Sequence, residues 1–297
     1  MNGTTTNTPS GPGDARAIDT VGVLGSGIMG AGLVEVAARS GRSVILRSRT
    51  RETADAAIAK LTSGLARQVD KGRLEADERD AILGRISATA DLSDLAGCDL
   101  VIESVVEDLP IKQDLFSALD EIVGSDAILA TNTSTLPVVE IAMATSRPDR
   151  VCGIHFFNPA PMMTLVEVIR PLTASDTTVA TALEFATSCG KDAVEVMDRA
   201  GFIVNALLFP YLNNAIKMWE NGTASVADID TAMQGGCNFP MGPFALLDLV
   251  GLDTSLAILD ALYAEFGDAN FMAATSLKRM VAAGHLGRKS GRGFLAY

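Results

Sequence analysis

Several chemistries are short of raw material in this chain. Histidine occurs twice in 297 residues, at positions 155 and 285, and tryptophan once. The four cysteines, Cys98, Cys152, Cys189 and Cys237, are scattered and never spaced C-x-x-C. A disulfide framework and a thiolate metal site are therefore not expected; the apolar flanks read as buried thiols in a reducing cytoplasm. No metal is expected at all. No apolar run reaches the roughly 20 residues of a membrane-spanning helix. Lys and Arg number 24 against 36 Asp and Glu, a formal charge of −12. That balance argues against general nucleic-acid binding, and a phosphorylated ligand would need positive charge gathered locally. The opening residues, MNGTTTNTPSGPGDARAID, have neither a basic start nor an apolar core. They read as a flexible tail to about residue 18, not as a secretion signal.

What is present is apolar: hydrophobic residues make up 48% and mean hydropathy is +0.26. At this length two domains with ample cores are expected. The stretch around which the rest is organised is 151–170, VCGIHFFNPAPMMTLVEVIR. Residues 151–154 form a short apolar run bounded by Pro148 and by the Asn158-Pro159-Ala160-Pro161 turn, which reads as a buried strand with His155 at its carboxyl mouth. A second run, 165–169, carries Glu167 in its middle, and a buried carboxylate is costly unless paired. Glu167 facing His155 would meet that cost and give a general base of fixed tautomer. The same residues also suit a satisfied core histidine and a solvent-facing glutamate on an edge strand.

The amino-terminal half alternates strand and helix. A strand at 20–24 runs directly into Gly25-Ser26-Gly27-Ile28-Met29-Gly30, followed by a small-residue helix at 31–40 and a strand at 43–47. A G-x-G-x-x-G turn in that setting marks a dinucleotide pyrophosphate site: Gly25 for the tight turn, Gly27 for close backbone approach, Gly30 for helix packing, and free N–H groups at the helix start, with Ile28 and Met29 between them. NAD-binding folds usually end the second strand with Asp or Glu on the ribose 2′-hydroxyl. Here Ser48 holds that place, flanked by Arg47, Arg49 and Arg51, so NADP is favoured, with NAD as the alternative. Residues 52–84 read as two helices split near Gly72. Lys60, Arg67 and Lys71 share one face, either solvated or gripping an anion. Further strands are expected at 86–90, 100–103 and 127–130. The last ends in Thr131-Asn132-Thr133-Ser134-Thr135, whose small polar groups, Asn132 and Ser134 among them, point into the ligand crevice of such a sheet. A helix at 176–189 and a strand near 193–196 close this part. After Gly201 only helices are expected, at 202–220, 225–234, 245–251, 254–266 and 275–284. The apolar character of PFALLDLVGL on most faces suggests a homodimer interface, or else an unusually compact monomeric bundle.

Seven blocks in order, GSGIMG, VIESVVED with Lys112, TNTSTL, IHFFNPAPMMTLVEVI, GFIVNALLFPYLNNAI, NFPMGPFALLDLVGLD and HLGRKSGRGF, resemble the 3-hydroxyacyl-CoA dehydrogenase family over about 20–297. The likeness is greatest to its single-function bacterial 3-hydroxybutyryl-CoA dehydrogenases. The resemblance implies an α/β fold: a Rossmann-type dinucleotide-binding domain at 19–200 after the tail at 1–18, then an all-helical substrate and dimerisation domain at 201–297. It implies a cytoplasmic oxidoreductase of fatty acid or butanoate metabolism that interconverts short-chain 3-hydroxyacyl-CoA and 3-ketoacyl-CoA with NADP or NAD. By the same resemblance His155 is the catalytic base, Glu167 its partner, Ser134 the contact to the substrate 3-oxygen and Asn205 the residue that completes the site. Glu107, Lys112, Asn158 and Lys289 match cofactor-side positions. Lys60, Arg67 and Lys71 lie where relatives meet the CoA moiety. Ser48 departs from the family's usual Asp. Two other readings need fewer of these residues: an enzyme of free hydroxy acids or sugar acids that shares His, Glu and Asn but has no CoA site, and a nucleotide-binding protein without turnover.

Overall fold

The protein is described from a computed structural model over residues 15–297. The chain divides after Asp198 into two compact units. The first alternates β1 (Thr20–Leu24), α1 (Ile28–Arg39), β2 (Ser43–Arg47), α2 (Arg51–Asp70), α3 (Ala76–Leu83), β3 (Ile86–Thr89), β4 (Leu100–Glu103), α4 (Leu109–Asp120), β5 (Ile128–Thr131), α5 (Val138–Ala142), β6 (Val151–Phe156), β7 (Leu165–Arg170), α6 (Asp176–Ser188) and β8 (Asp192–Met197). Helix starts follow local chemistry: the side chains of Thr50, Asp108 and Ser175 accept hydrogen bonds from the first-turn amides of α2, α4 and α6.

The strands form one sheet in the order β3-β2-β1-β4-β5-β6-β7-β8. Pairing is parallel from β3 across to β6, antiparallel between β6 and β7, and parallel again between β7 and β8. Strand order reverses between β1 and β4, so the loops leaving their carboxyl ends part there and open a crevice. The short apolar strands β4, β5 and β6 are buried along their whole length, as expected of strands covered by helices on both faces. Residues 1–14, the larger part of the expected tail, lie outside the described residues. The tail does not extend to 18: the Arg16 amide donates to Thr181 Oγ1 at 3.1 Å, and Ile18 is part of the core.

The second unit holds α7 (Val204–Glu220), α8 (Val226–Cys237), α9 (Pro243–Val250), α10 (Leu252–Phe266) and α11 (Thr275–Ala282) around its own core. Beyond them the described residues carry one 3-10 turn, Arg288–Ser290, and the isolated bridges Gly287 to Arg292 and Arg292 to Ala296. Helix α8 runs three residues past the expected stop at 234, through Gly235 and Gly236, and ends where Asn238 turns left-handed at φ 57°. Two aspartates, Asp230 half-buried and Asp248 buried, shape the unit. Asp230 accepts from the Phe244 and Ala245 amides at the start of α9 (2.8 and 3.0 Å), and Asp248 accepts from those of Phe294 and Leu295 (2.9 and 2.8 Å). In α9, Phe244 and Leu247 face the core while Leu249 is exposed. Among the described residues no helix is long and apolar enough to cross a membrane.

The cysteines divide differently from their apolar flanks. Cys98 and Cys152 are buried, and burial pushes both thiols up to about 12. Cys237 is exposed at the end of α8.

Candidate active site

The turn between β1 and α1 is built for close approach. Gly25 sits at φ +112°, and a Cβ there would lie 2.2 Å from the Ser104 carbonyl oxygen; a Cβ on Gly30 would lie 1.9 Å from the Gly25 carbonyl oxygen. Only glycine allows the turn to close this tightly. At Gly27 the space a side chain would take is open, and Gly27 caps α1 with no side-chain hydrogen bond to its first amides. Open space beside a helix start with uncapped N–H groups suits a pyrophosphate, so the residues present fit a dinucleotide.

The end of β2 differs in detail from the expectation. Ser48 is 6% exposed, and its hydroxyl lies 2.8 Å from that of Ser26 and 2.7 Å from that of Thr53. The three neighbouring arginines are not equivalent. Arg47 donates to the Ala90 carbonyl at 3.2 Å and Arg51 pairs with Asp55 at 2.8 Å. Among the described residues only Arg49 of the three has neither hydrogen bond nor ion pair, and it is exposed.

The carboxyl edge gathers the remaining polar groups of the first unit. His155 and Glu167 are direct partners across the antiparallel β6–β7 pair, so their side chains share a face of the sheet. The imidazole Nδ1 lies 2.8 Å from Glu167 Oε2, and the two residues are 3% and 0% exposed. Because β8 covers β7, Glu167 is not on an edge strand. The Phe157 ring packs 4.5 Å from the imidazole, centre to centre. On its other side, His155 Nε2 lies 3.0 Å from Ser134 Oγ, in the loop leaving β5. Asn132, in the same loop, accepts from the Phe156 amide at 2.8 Å and ties that loop to β6.

Glu107 holds the serine loop from behind. One of its oxygens accepts from Thr133 Oγ1 at 2.5 Å and from the Ser134 amide at 2.9 Å. Lys112 is 1% exposed, with its ammonium 2.6 Å from Glu103 and 3.3 Å from Glu107. Lys112, expected on the cofactor side, has its ammonium buried between these two carboxylates and meets the carboxyl-edge loops through Glu107. Glu103 escaped the sequence argument, and Thr131, expected to point into the crevice, is buried with its hydroxyl on Glu103. An acid closing the apolar strand LVIE is the same signal that picked out Glu167.

Asn158 is exposed just past β6. The turn it opens is held by Lys191, whose ammonium donates to the Ala160 and Met163 carbonyls at 2.7 and 2.8 Å. Lys60, Arg67 and Lys71 are exposed on and just after α2, and among the described residues none of them is paired. In the second unit, Asn205 is buried in the first turn of α7, and Lys289 forms an ion pair with Asp253 at 2.6 Å.

A doubly wound sheet with a pyrophosphate turn and a histidine–carboxylate pair at its carboxyl edge defines a dinucleotide-dependent oxidoreductase. Residues 20–199 match the family model for the 3-hydroxyacyl-CoA dehydrogenase NAD binding domain, and residues 201–297 that for the 3-hydroxyacyl-CoA dehydrogenase C-terminal domain. A 3-hydroxybutyryl-CoA dehydrogenase of Clostridioides difficile is 47% identical over 275 residues, 93% of this chain and 98% of the relative. Among solved structures, FadB2 of Mycobacterium tuberculosis aligns with a TM-score of 0.93 at 46% identity, over 95% of this chain and 100% of that one. The (S)-3-hydroxybutyryl-CoA dehydrogenase PaaH1 of Ralstonia eutropha aligns at 0.92 and 40% identity, over 95% and 99%. The chain belongs to the 3-hydroxyacyl-CoA dehydrogenase family, and a nicotinamide dinucleotide is its cofactor.

Proposed function

We propose that this protein interconverts 3-hydroxybutyryl-CoA and acetoacetyl-CoA, with His155 as general base in oxidation and general acid in reduction. The observation that carries the reading is the imidazole held between the Ser134 hydroxyl and the buried Glu167 carboxylate. The choice of a four-carbon substrate follows the names of the relatives just described. When bound, the nicotinamide accepts hydride from C3 of the hydroxyacyl group or returns it.

The chain's own residues handle the proton. With Nδ1–H donated to Glu167, His155 presents Nε2 as the acceptor for the C3 hydroxyl proton. Positive charge then develops on the ring, and the buried Glu167 carboxylate offsets it. Ser134 Oγ marks where the substrate oxygen is oriented, which lowers the entropic part of the barrier. Asn205 is proposed as a further substrate-positioning residue. Glu107, Lys112, Asn132, Asn158 and Lys289 are proposed on the cofactor side with the Gly25–Gly30 turn, and Lys60, Arg67 and Lys71 as cations for the CoA phosphates. NADP is favoured over NAD because Ser48 replaces an acid that would repel a 2′-phosphate, and Arg49 is free to neutralise one. The exposed apolar side chains of the second unit, Leu207 at 72% and Leu249 among them, support a homodimer. A cytoplasmic location is proposed from the scattered, unpaired thiols.

His155→Gln should lower kcat for acetoacetyl-CoA reduction by about 10²- to 10⁴-fold while cofactor Kd, read by fluorescence titration, changes little; wild-type turnover would end the assignment. Steady-state comparison should give a higher kcat/KM with NADPH than with NADH, and Ser48→Asp should reverse the order. A clear wild-type preference for NADH rejects the NADP reading. The double charge reversal Lys60→Glu/Lys71→Glu should raise KM for acetoacetyl-CoA and leave cofactor KM alone, and an unmoved substrate KM removes the CoA assignment. Light scattering at micromolar concentration should return twice the 31.0 kDa chain mass; a monomer mass disposes of the dimer.

A further inference from the structure

Glu103 takes no part in the proton path, yet both of its carboxylate oxygens are engaged at the carboxyl edge. It closes β4 with 0% exposure. One oxygen accepts from Lys112 Nζ and from the Val105 amide, both at 2.6 Å, and the other from Thr131 Oγ1 at 2.8 Å. Four elements meet at this group: β4, the turn after it, α4 and β5. The same ammonium reaches Glu107 at 3.3 Å. Glu107 lies in that turn, in neither helix nor strand, with its side chain 40% exposed. Its other oxygen holds Thr133 and the Ser134 amide, and Ser134 Oγ faces His155 Nε2.

We infer that Glu103 is a positioning residue: through Lys112 it fixes Glu107, and through Glu107 it sets the Ser134 hydroxyl against His155. The inference rests on the roles proposed above for Ser134 and His155. Stability alone does not call for charge here, because a buried ion pair can often be replaced by uncharged residues of similar volume without loss. A fully satisfied buried network does fix geometry, and a displacement of about 1 Å in a reacting group costs on the order of 10²-fold. If Glu103 is neutralised alone, the ammonium is left to Glu107, which is drawn toward α4 and away from the serine loop.

The experiment is a double-mutant cycle read in kcat at saturating cofactor. Glu103→Gln/Lys112→Met removes both charges together; Gln keeps an acceptor for the Val105 amide, and Met fills the lysine stem. This variant should melt near the wild type and lose about 10-fold or more in kcat. Placed in a Ser134→Ala background, where there is no hydroxyl left to position, the same pair of changes should cost little further. Equal losses in both backgrounds, or wild-type kcat with wild-type Tm, overturn the inference. Should the double variant fail to fold, Glu103→Gln alone neutralises the anchor and leaves the Lys112 ammonium to Glu107. A kcat loss that disappears in the Ser134→Ala background supports the role, and an unchanged kcat overturns it. Wild-type kcat in Ser134→Ala alone would mean that the reading of the site had failed, a separate outcome from failure of the anchor.

Discussion

One reversal of strand direction makes the site possible. Every neighbouring pair from β3 to β6 is parallel, and then β7 runs against β6. A parallel partner would need a crossover of a dozen or more residues. The reversal needs only the turn at 157–164, and it sets Glu167 opposite His155 twelve positions earlier. Side chains alternate along strands, so a slip of one residue would send the carboxylate to the other face and leave it buried without its partner. An unpaired buried carboxylate costs several kcal/mol, so the register that builds the pair is also the register that folds stably.

The carboxyl edge holds a second buried carboxylate handled in another way. Glu103 meets an ammonium, an amide and a hydroxyl; Glu167 meets an imidazole. The first arrangement is static, since three donors from separate elements converge on one carboxylate. The second keeps a ring whose far nitrogen faces a hydroxyl and can pass a proton on. On the roles proposed above, carboxylates on β4 and β7 divide the work at one edge between rigidity and proton transfer, and the loop from β5 that carries Thr133 and Ser134 is the piece they share.

Much of this was legible because it follows from local rules. The strands at 20–24, 43–47 and 100–103 coincide with apolar runs bounded by turn residues, and the Gly25–Gly30 turn is recognisable because only glycine fits it. Glu167 was found by asking what a charge inside an apolar run must touch. The same question put to Glu103 would have found the anchor, but at the end of a strand a glutamate also reads as the start of a loop. The fate of Lys112 was not legible, because its burial depends on α4 lying against β4. Arg47 and Arg51 were grouped with Arg49 because sequence does not tell which guanidinium finds a carbonyl or a carboxylate nearby. Helix α8 runs past its expected end because a glycine weakens a helix by only about 1 kcal/mol, and the helix stops where Asn238 turns left-handed.

The proposed cofactor preference is best understood through repulsion removed. Ser48 is almost buried and its hydroxyl already lies between Ser26 and Thr53, so it has little left to offer a phosphate. Arg47 and Arg51 are held elsewhere, which leaves a single exposed guanidinium at Arg49. A lone exposed charge pair contributes only about 0–1 kcal/mol, too little by itself to select one dinucleotide strongly. The larger effect of Ser48 is what it excludes: a carboxylate at that position would face a 2′-phosphate across a short distance in a partly dry crevice, where like charges repel far more than in bulk water. On this view the chain tolerates the phosphate first and attracts it second, and position 48 matters more to discrimination than any one of the arginines around it.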